Sequence, residues 1–262
     1  MKLKMYQVDA FTSRLFSGNP AAVVILESRI EESIMQSISS ENNLSETAFI
    51  EINNNPITIR WFTPSIEVDL CGHATLAGAR ILFDYYADKF DTEIIFNSNS
   101  GILKVTKNND ELCLNFPVDK PQEVKKSKIF TEILGMEPIN LLKGRDDYLA
   151  IFNKQNHIEE IEPNFSLLSR LNARGIVISA LGNEVDFVSR CFFPEVGIEE
   201  DPVTGSAHTM LTPYWANKLQ KNKLKALQLS KRGGELNCRL SKDRVYISGK
   251  SVIYFDGIIS IV

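Results

Sequence analysis

The sequence predicts an α+β protein of two similar lobes, each a sheet wrapped around one central helix. Three observations carry that prediction. At 262 residues and 29.5 kDa, the chain is near the size at which one core stops growing and chains divide. Its second half repeats motifs of the first. Arg60-Trp61-Phe62-Thr63-Pro64 stands 130 residues before Arg190-Cys191-Phe192-Phe193-Pro194, and after a three-residue insertion Gly72-His73-Ala74 stands 133 residues before Gly205-Ser206-Ala207. Gly101, Leu103 and Asp110 meet Gly234, Leu236 and Asp243 at that same offset. The expected order of elements is also shared: helix, strand, strand, Pro-containing loop, glycine, helix.

In the first half, Ser28-Arg29-Ile30-Glu31 has the form of a capping box, and Ile30, Ile34 and Ile38 make a helical stripe ending near Asn42-Asn43. Strands are expected from Thr47 to Ile52 and from Ile57 to Phe62. A helix then begins after Gly72, with Ala74, Ala77, Ile81 and Tyr85 facing the core. Alternating strands follow at Ile94 to Phe96, Ile102 to Thr106 and Glu111 to Phe116. In the second half, Asn164 to Leu171 is a shorter helix, followed by strands Gly175 to Ser179 and Val185 to Phe193. The helix after Gly205 carries the stripe Ala207, Met210, Leu211, Tyr214 and Trp215. Strands Leu227 to Leu229, Glu235 to Leu240 and Arg244 to Ser248 close the repeat. Two prolines in Phe116-Pro117-Val118-Asp119-Lys120-Pro121 place the boundary there, giving lobes 1–118 and 119–262. The last strand, Ser251 to Val262, is surplus to the second repeat and packs on either lobe.

Composition excludes several classes. With 44% hydrophobic and 24% charged residues, 14 glycines and 10 prolines, the chain is neither disordered nor collagen-like. Its longest apolar run, Ala21 to Leu26, is far short of the roughly 20 residues of a membrane span. Met1 to Asp9 lacks the apolar stretch of a secretory signal, so a cytoplasmic protein is expected. The 29 basic and 33 acidic side chains are interspersed at net −4, which argues against a nucleic-acid partner. Cys71, Cys113, Cys191 and Cys238 lack paired spacing, so reduced thiols are expected rather than a metal knuckle or a disulfide framework.

A helix start presents unpaired N–H groups and the positive end of a dipole, and is a ready anion site. Gly72-His73-Ala74-Thr75 and Gly205-Ser206-Ala207-His208 place one at each repeat position, so two helix starts facing one cleft would clamp a small carboxylate. Read more plainly, the glycines serve turns, and His73 and Ser206 cap their helices. Glu46, in Leu44-Ser45-Glu46-Thr47-Ala48-Phe49-Ile50, stands where a polar loop enters an apolar strand, a setting that raises a carboxyl pKa toward the range useful for proton transfer. Asp201 precedes the second helix, where the dipole stabilises it or where it partners a substrate amine or hydroxyl. His157 and His208 carry no further signal.

Asp9-Ala10-Phe11-Thr12 with Phe16-Ser17-Gly18-Asn19-Pro20-Ala21-Ala22, Ser45-Glu46-Thr47-Ala48-Phe49, Cys71-Gly72-His73-Ala74-Thr75 and Asp201-Pro202-Val203-Thr204-Gly205-Ser206-Ala207 resemble, in order, the motifs of the PhzF-like, or phenazine-biosynthesis-like, isomerases. The resemblance spans nearly the whole chain. It implies the diaminopimelate-epimerase-like fold: two pseudo-symmetric lobes of curved, mostly antiparallel sheet around a helix, an active site in the cleft, and commonly a homodimer. It also implies a cofactor-free, metal-free isomerisation of a small carboxylated substrate. Glu46 takes the place of the family's general acid/base, with His73 and Asp201 beside it as catalytic residues, and Ser45, Gly72, Gly205 and Ser206 as substrate-binding positions.

The alternatives are a racemase or epimerase of an amino acid-like substrate and a non-catalytic small-molecule-binding protein. For the two-thiol epimerases of this fold, Cys71 matches one thiol, but Thr204 stands at the repeat position of the other. A serine hydrolase would need a Gly-x-Ser-x-Gly elbow, which is missing, as are Walker and dinucleotide fingerprints.

Overall fold

The computed structural model of the protein describes residues 1–261. The chain divides into two compact units, one comprising Met1–Asn115 with the stretch from Ser248 onward, the other Phe116–Ile247. The lobe expected over 119–262 thus loses its last stretch. The final strand pairs along the whole of the first strand, Lys2 opposite Ser260 and Ala10 opposite Ser251, because two long strands satisfy each other's backbone groups. None of the helices among the described residues is long and apolar enough to cross a membrane.

The first unit runs β1 (Lys2–Ala10), β2 (Asn19–Leu26), α1 (Glu32–Asn42), β3 (Glu46–Glu51), β4 (Ile57–Phe62), β5 (Glu67–Val68), α2 (Gly72–Tyr85), β6 (Glu93–Ser98), β7 (Gly101–Asn108) and β8 (Glu111–Pro117). The chain continues through β9 (Gln122–Glu123), α3 (Lys128–Leu134), β10 (Asn140–Lys143), β11 (Asp147–Ile151), α4 (Gln155–Glu160), α5 (Phe165–Leu168), β12 (Gly175–Leu181) and β13 (Phe187–Phe192). It ends with α6 (Gly205–Leu219), β14 (Lys223–Gln228), β15 (Gly234–Ser241), β16 (Arg244–Gly249) and β17 (Ser251–Ser260).

The duplication is visible in the strand pairing. In the first unit β2 and β3 are parallel, β3 and β4 antiparallel, β4 and β6 parallel across α2, and β6 and β7 antiparallel. The second unit repeats the series: β11 and β12 parallel, β12 and β13 antiparallel, β13 and β14 parallel across α6, β14 and β15 antiparallel. The sheets are therefore mixed, with parallel pairs where a helical connection returns the chain in the same direction. Their parallel inner strands, such as Ala21 to Leu26, are buried on both faces and read as continuous apolar runs. By contrast β6 and β15 alternate buried and exposed residues.

Ten of the fourteen residues of α2 are buried, and it packs on β1, β2, β3 and β17. Small residues permit this. A Cβ on Gly78 would lie 2.7 Å from the Ile50 Cδ1 atom, so the helix rests directly on β3. Tyr85, expected in the core stripe, is 46% exposed and sits against the Tyr6 ring at 4.9 Å, because α2 ends there and only its ring face finds cover. In α6, Ala207, Met210, Leu211 and Trp215 are buried and Tyr214 is half-buried. Pro213 inside α6 cannot donate to the Thr209 carbonyl, and the Asp119 backbone N–H takes that carbonyl at 3.2 Å.

Other expectations shift at element ends. The capping box at Ser28 does not form: α1 starts at Glu32 behind Glu31, whose side chain makes no cap bond. Asn43 adopts the left-handed conformation that ends α1. Asn164 does cap α5, accepting from the Leu167 N–H at 3.1 Å. The elements between Gln122 and Glu160, including α3, β10, β11 and α4, carry no repeat signal in the sequence.

The matched arginines do the same work in both units. Arg60 binds Glu67 through Nε at 2.7 Å and lies over Phe62; Arg190 binds Glu200 through Nε at 2.7 Å and lies over Phe192. Glu67 and Glu200 are themselves 133 residues apart, so the inserted residues fall between arginine and glutamate, where the second unit forms a 3-10 turn at Pro194–Val196. Each pair clips the loop that leads to a helix start. Arg190 also donates to the Ile158 and Ile161 carbonyls at 3.1 and 2.7 Å, whereas the third partner of Arg60 is the exposed Glu32. Arg190→Met is therefore expected to cost about 3 kcal/mol and Arg60→Met about 1 kcal/mol. Urea unfolding midpoints of the two variants check the order, and a reversed order contradicts it.

Candidate active site

Glu46 opens β3, with Ser45 half-buried just before it, and α2 starts at Gly72 behind Cys71. Glu46 Oε2 lies 3.3 Å from His73 Nε2, and the Glu46 side chain is 13% exposed. The expected proton carrier therefore does not point into bulk solvent. His73 is buried in the first turn of α2, and burial pushes its imidazole down to about 3. Its other nitrogen, Nδ1, is 3.2 Å from Asn19 Nδ2 and 3.5 Å from Cys71 Sγ.

His73 does not cap α2, and Cys71 at the N-cap position makes no side-chain cap bond. Thr75 Oγ1 instead donates back to the Cys71 carbonyl at 2.5 Å. Among the described residues, one heteroatom each from Glu46, Cys71 and His73 fall within 4.8 Å of one another, close enough for a shared cation.

The second unit builds a related helix start from different groups. Thr204 at the N-cap of α6 does not cap the helix; its hydroxyl donates to Asp201 Oδ2 at 2.5 Å. Asp201 is 7% exposed, and this bond organises the turn ahead of Gly205. The fully buried Gln228 staples that turn, accepting from the Thr204 N–H at 2.9 Å and donating to the Asp201 carbonyl at 2.8 Å. His208 Nδ1 donates to the Thr204 carbonyl at 2.8 Å, repeating the Thr75 bond 133 residues later. Burial lowers its pKa to about 4. Ser206 Oγ accepts from Arg174 Nη2 at 3.2 Å, and Arg174 is clamped by Asp147, with Nε to Oδ1 at 2.9 Å.

The sequence names Glu46, His73, Asp201, Gly72, Gly205, Ser45 and Ser206 as candidates; the structure adds Asn19, Arg174 with Asp147, and Gln228 as hydrogen-bond neighbours of some of them or of the turn ahead of Gly205. Asn19 stood in a quoted motif without a role. Arg174 and Gln228 left no signal, because their partners are 32 and 24 residues away in the chain.

Pairing register shows what stands at the Glu46 position in the second unit. Thr47 pairs with Phe62 and Ile176 with Phe192, so Gly175 occupies it. A Cβ there would sit 2.0 Å from the Phe192 carbonyl oxygen. The duplication carries a carboxyl in one copy and excludes any side chain in the other.

The family profile of phenazine biosynthesis-like proteins, PhzC-PhzF, matches residues 8–257. The chain belongs to the PhzF family. An uncharacterized isomerase of Pseudomonas aeruginosa is 47% identical over 257 residues, covering 98% of each chain, and one of Halalkalibacterium halodurans is 46% identical over 96% of each. A PhzF-family crystal structure from Enterococcus faecalis superposes with a TM-score of 0.97 at 42% identity over the full length of both chains. A probable proline racemase from Agrobacterium radiobacter shares the mixed α/β fold, with a TM-score of 0.65 at 8% identity, covering 99% of this chain and 93% of its own. Like its full-length relatives, this PhzF protein is an isomerase.

The two buried imidazoles link stability to pH. Their folded pKa values lie below the ordinary 6.5, so below that pH the unfolded chain binds protons that the folded chain does not. Their contribution is complete above pH 6.5 and is lost as pH falls toward 4. Each histidine is expected to remove about 1.4 kcal/mol per pH unit in that window. Urea titrations at about pH 7.5, 6 and 5 read the slope, and a flat profile would refute it.

Proposed function

We propose that this protein is a cofactor-independent isomerase that moves a proton between carbons of a small carboxylated substrate, with Glu46 as its one proton carrier. The observation that carries the reading is Glu46 Oε2 at 3.3 Å from Nε2 of a buried, uncharged His73 at the start of α2. A carboxylate there takes a C–H proton as its own O–H while the C–H electron pair passes into the substrate's adjacent unsaturated system. The O–H then returns the proton to another carbon of that system, and the carboxylate is restored. The transfer is internal and balanced, so it calls for no electron acceptor. Backbone N–H groups at a helix start suit the negative charge that a carboxylated substrate brings and that proton removal spreads. Asp201 is suited to an amine or hydroxyl on the same substrate class, and Ser206, held by Arg174, to a further polar group.

A racemase would need a second acid or base on the opposite face of one carbon. The repeat positions of Glu46, Cys71 and His73 are Gly175, Thr204 and Ser206, none of which titrates near neutrality. Burial also pushes the Cys191 thiol well above its usual range. These features favour the single-carrier reading.

The test is a screen of small cyclic and amino carboxylic acids in heavy water, monitored by mass. Wild type is expected to incorporate deuterium into its substrate, with Glu46→Gln folded and slower by about 10²–10⁴-fold. Equal uptake by the folded variant would remove Glu46 from the mechanism. Uptake that survives Glu46→Gln but is abolished by alkylating Cys71 would instead establish the epimerase reading.

A further inference from the structure

The motif at the chain's beginning, Asp9 to Ala22, has no part in the mechanism so far, yet its geometry is heavily constrained. Asp9 Oδ2 accepts the Phe16 N–H at 2.9 Å, and Thr12 Oγ1 accepts the Arg14 N–H at 3.1 Å. Gly18 has φ +66°, and a Cβ on it would meet the Ala10 carbonyl oxygen at 2.2 Å. The turn that these contacts hold delivers Asn19, wholly buried at the start of β2 and opposite Ala10, to the ring of His73.

A neutral imidazole has one donor and one acceptor nitrogen. His73 Nδ1 faces the Asn19 amide NH₂ at 3.2 Å and the Cys71 thiol at 3.5 Å. An amide NH₂ only donates, so Nδ1 meets it with its lone pair, and the Cys71 thiol can donate to the same lone pair. We infer that Asn19 is a positioning residue for the proton carrier: by occupying His73 Nδ1 as a donor, with Cys71 beside it, it confines the ring's one proton to Nε2, facing Glu46.

The consequence rests on Glu46 being the carrier, as proposed above. A protonated Nε2 at 3.3 Å from the Glu46 carboxylate oxygen offers it no lone pair, so the ring does not compete for a proton that Glu46 takes up. The opposite tautomer would turn a lone pair to the carboxylate and offer a second base for the captured proton. With Nε2 already protonated and Nδ1 engaged, the ring has no vacancy for it and does not draw the proton away from Glu46. Burial, which keeps the ring neutral, supports the same arrangement.

His208 supplies an internal contrast. Its Nδ1 faces the Thr204 carbonyl oxygen at 2.8 Å, which only accepts, so its proton sits on Nδ1. The two buried histidines therefore carry opposite tautomers.

The test is long-range ¹H–¹⁵N correlation on full-length protein labelled at its three histidines, with assignment by single replacement. Wild type is expected to show a protonated-type signal at Nε2 and an unprotonated-type signal at Nδ1 of His73, with the reverse for His208. Asn19→Asp puts an acceptor oxygen at Nδ1, and protonated-type character should appear there while His208 is unchanged. A proton on His73 Nδ1 in wild type overturns the proposal. So does a His73 pattern unmoved by Asn19→Asp. Where that variant does not fold, the wild-type pattern with Asn19→Thr, whose hydroxyl can still donate and should keep the proton on Nε2, decides. The spectrum needs no substrate, so an inactive Glu46 reading and a wrong tautomer give separate results.

Discussion

Burial of the first turn of α2 is the constraint on which the site depends. Ten of that helix's fourteen residues are buried, and in the first turn the His73 and Thr75 side chains leave water. A histidine there is disfavoured as a cation, and each of its nitrogens needs a neighbour chosen for donor or acceptor character. The Asn19 amide, the Cys71 thiol and the Glu46 carboxylate are the neighbours that β2, the N-cap of α2 and β3 supply. The packing of small residues that lets α2 rest on β3 thus also sets the electrostatics of its N-terminal end.

The second unit shows what duplication preserves and what it releases. The arginine–glutamate clip, the aromatic ring beneath the arginine and the side-chain bond back to the N-cap carbonyl all recur, because each holds the path of the chain into a helix start. The chemical groups do not recur. Serine replaces His73, threonine replaces Cys71, and glycine replaces Glu46 at a point where the backbone leaves no room for a side chain. A clamped arginine beside Ser206 gives that unit a different polar character. One copy gathers a carboxyl, an imidazole and a thiol at its helix start; the other gathers an aspartate, a threonine and an arginine-bound serine.

Legibility followed the range of the interactions involved. The helices after Gly72 and Gly205 and the strand Ile57 to Phe62 were readable because periodicity and repeat register are local. The start of α1 misled, since Ser28 belongs to a strand exit and not to a cap. Residues 122–160 were unread: their short elements lack both the repeat and an extended stripe. Glu67 and Glu200 stand at the 133 offset, so the repeat itself displays the charge partners of Arg60 and Arg190.

From the amino-acid order alone came the duplication, the two glycine-led helix starts, the family's motif set and the identities of Glu46, His73, Asp201 and Ser206. Those are features of residue type and spacing, which a linear chain displays in full. Only the folded chain decided that β17 lies beside β1, that Asn19 and not a cap bond meets His73, that Gly175 is closed to any side chain, and that Arg174 reaches Ser206. The reason is physical: burial and hydrogen-bond partnership arise between segments distant in sequence, and donor and acceptor roles are assigned only when those segments meet in three dimensions.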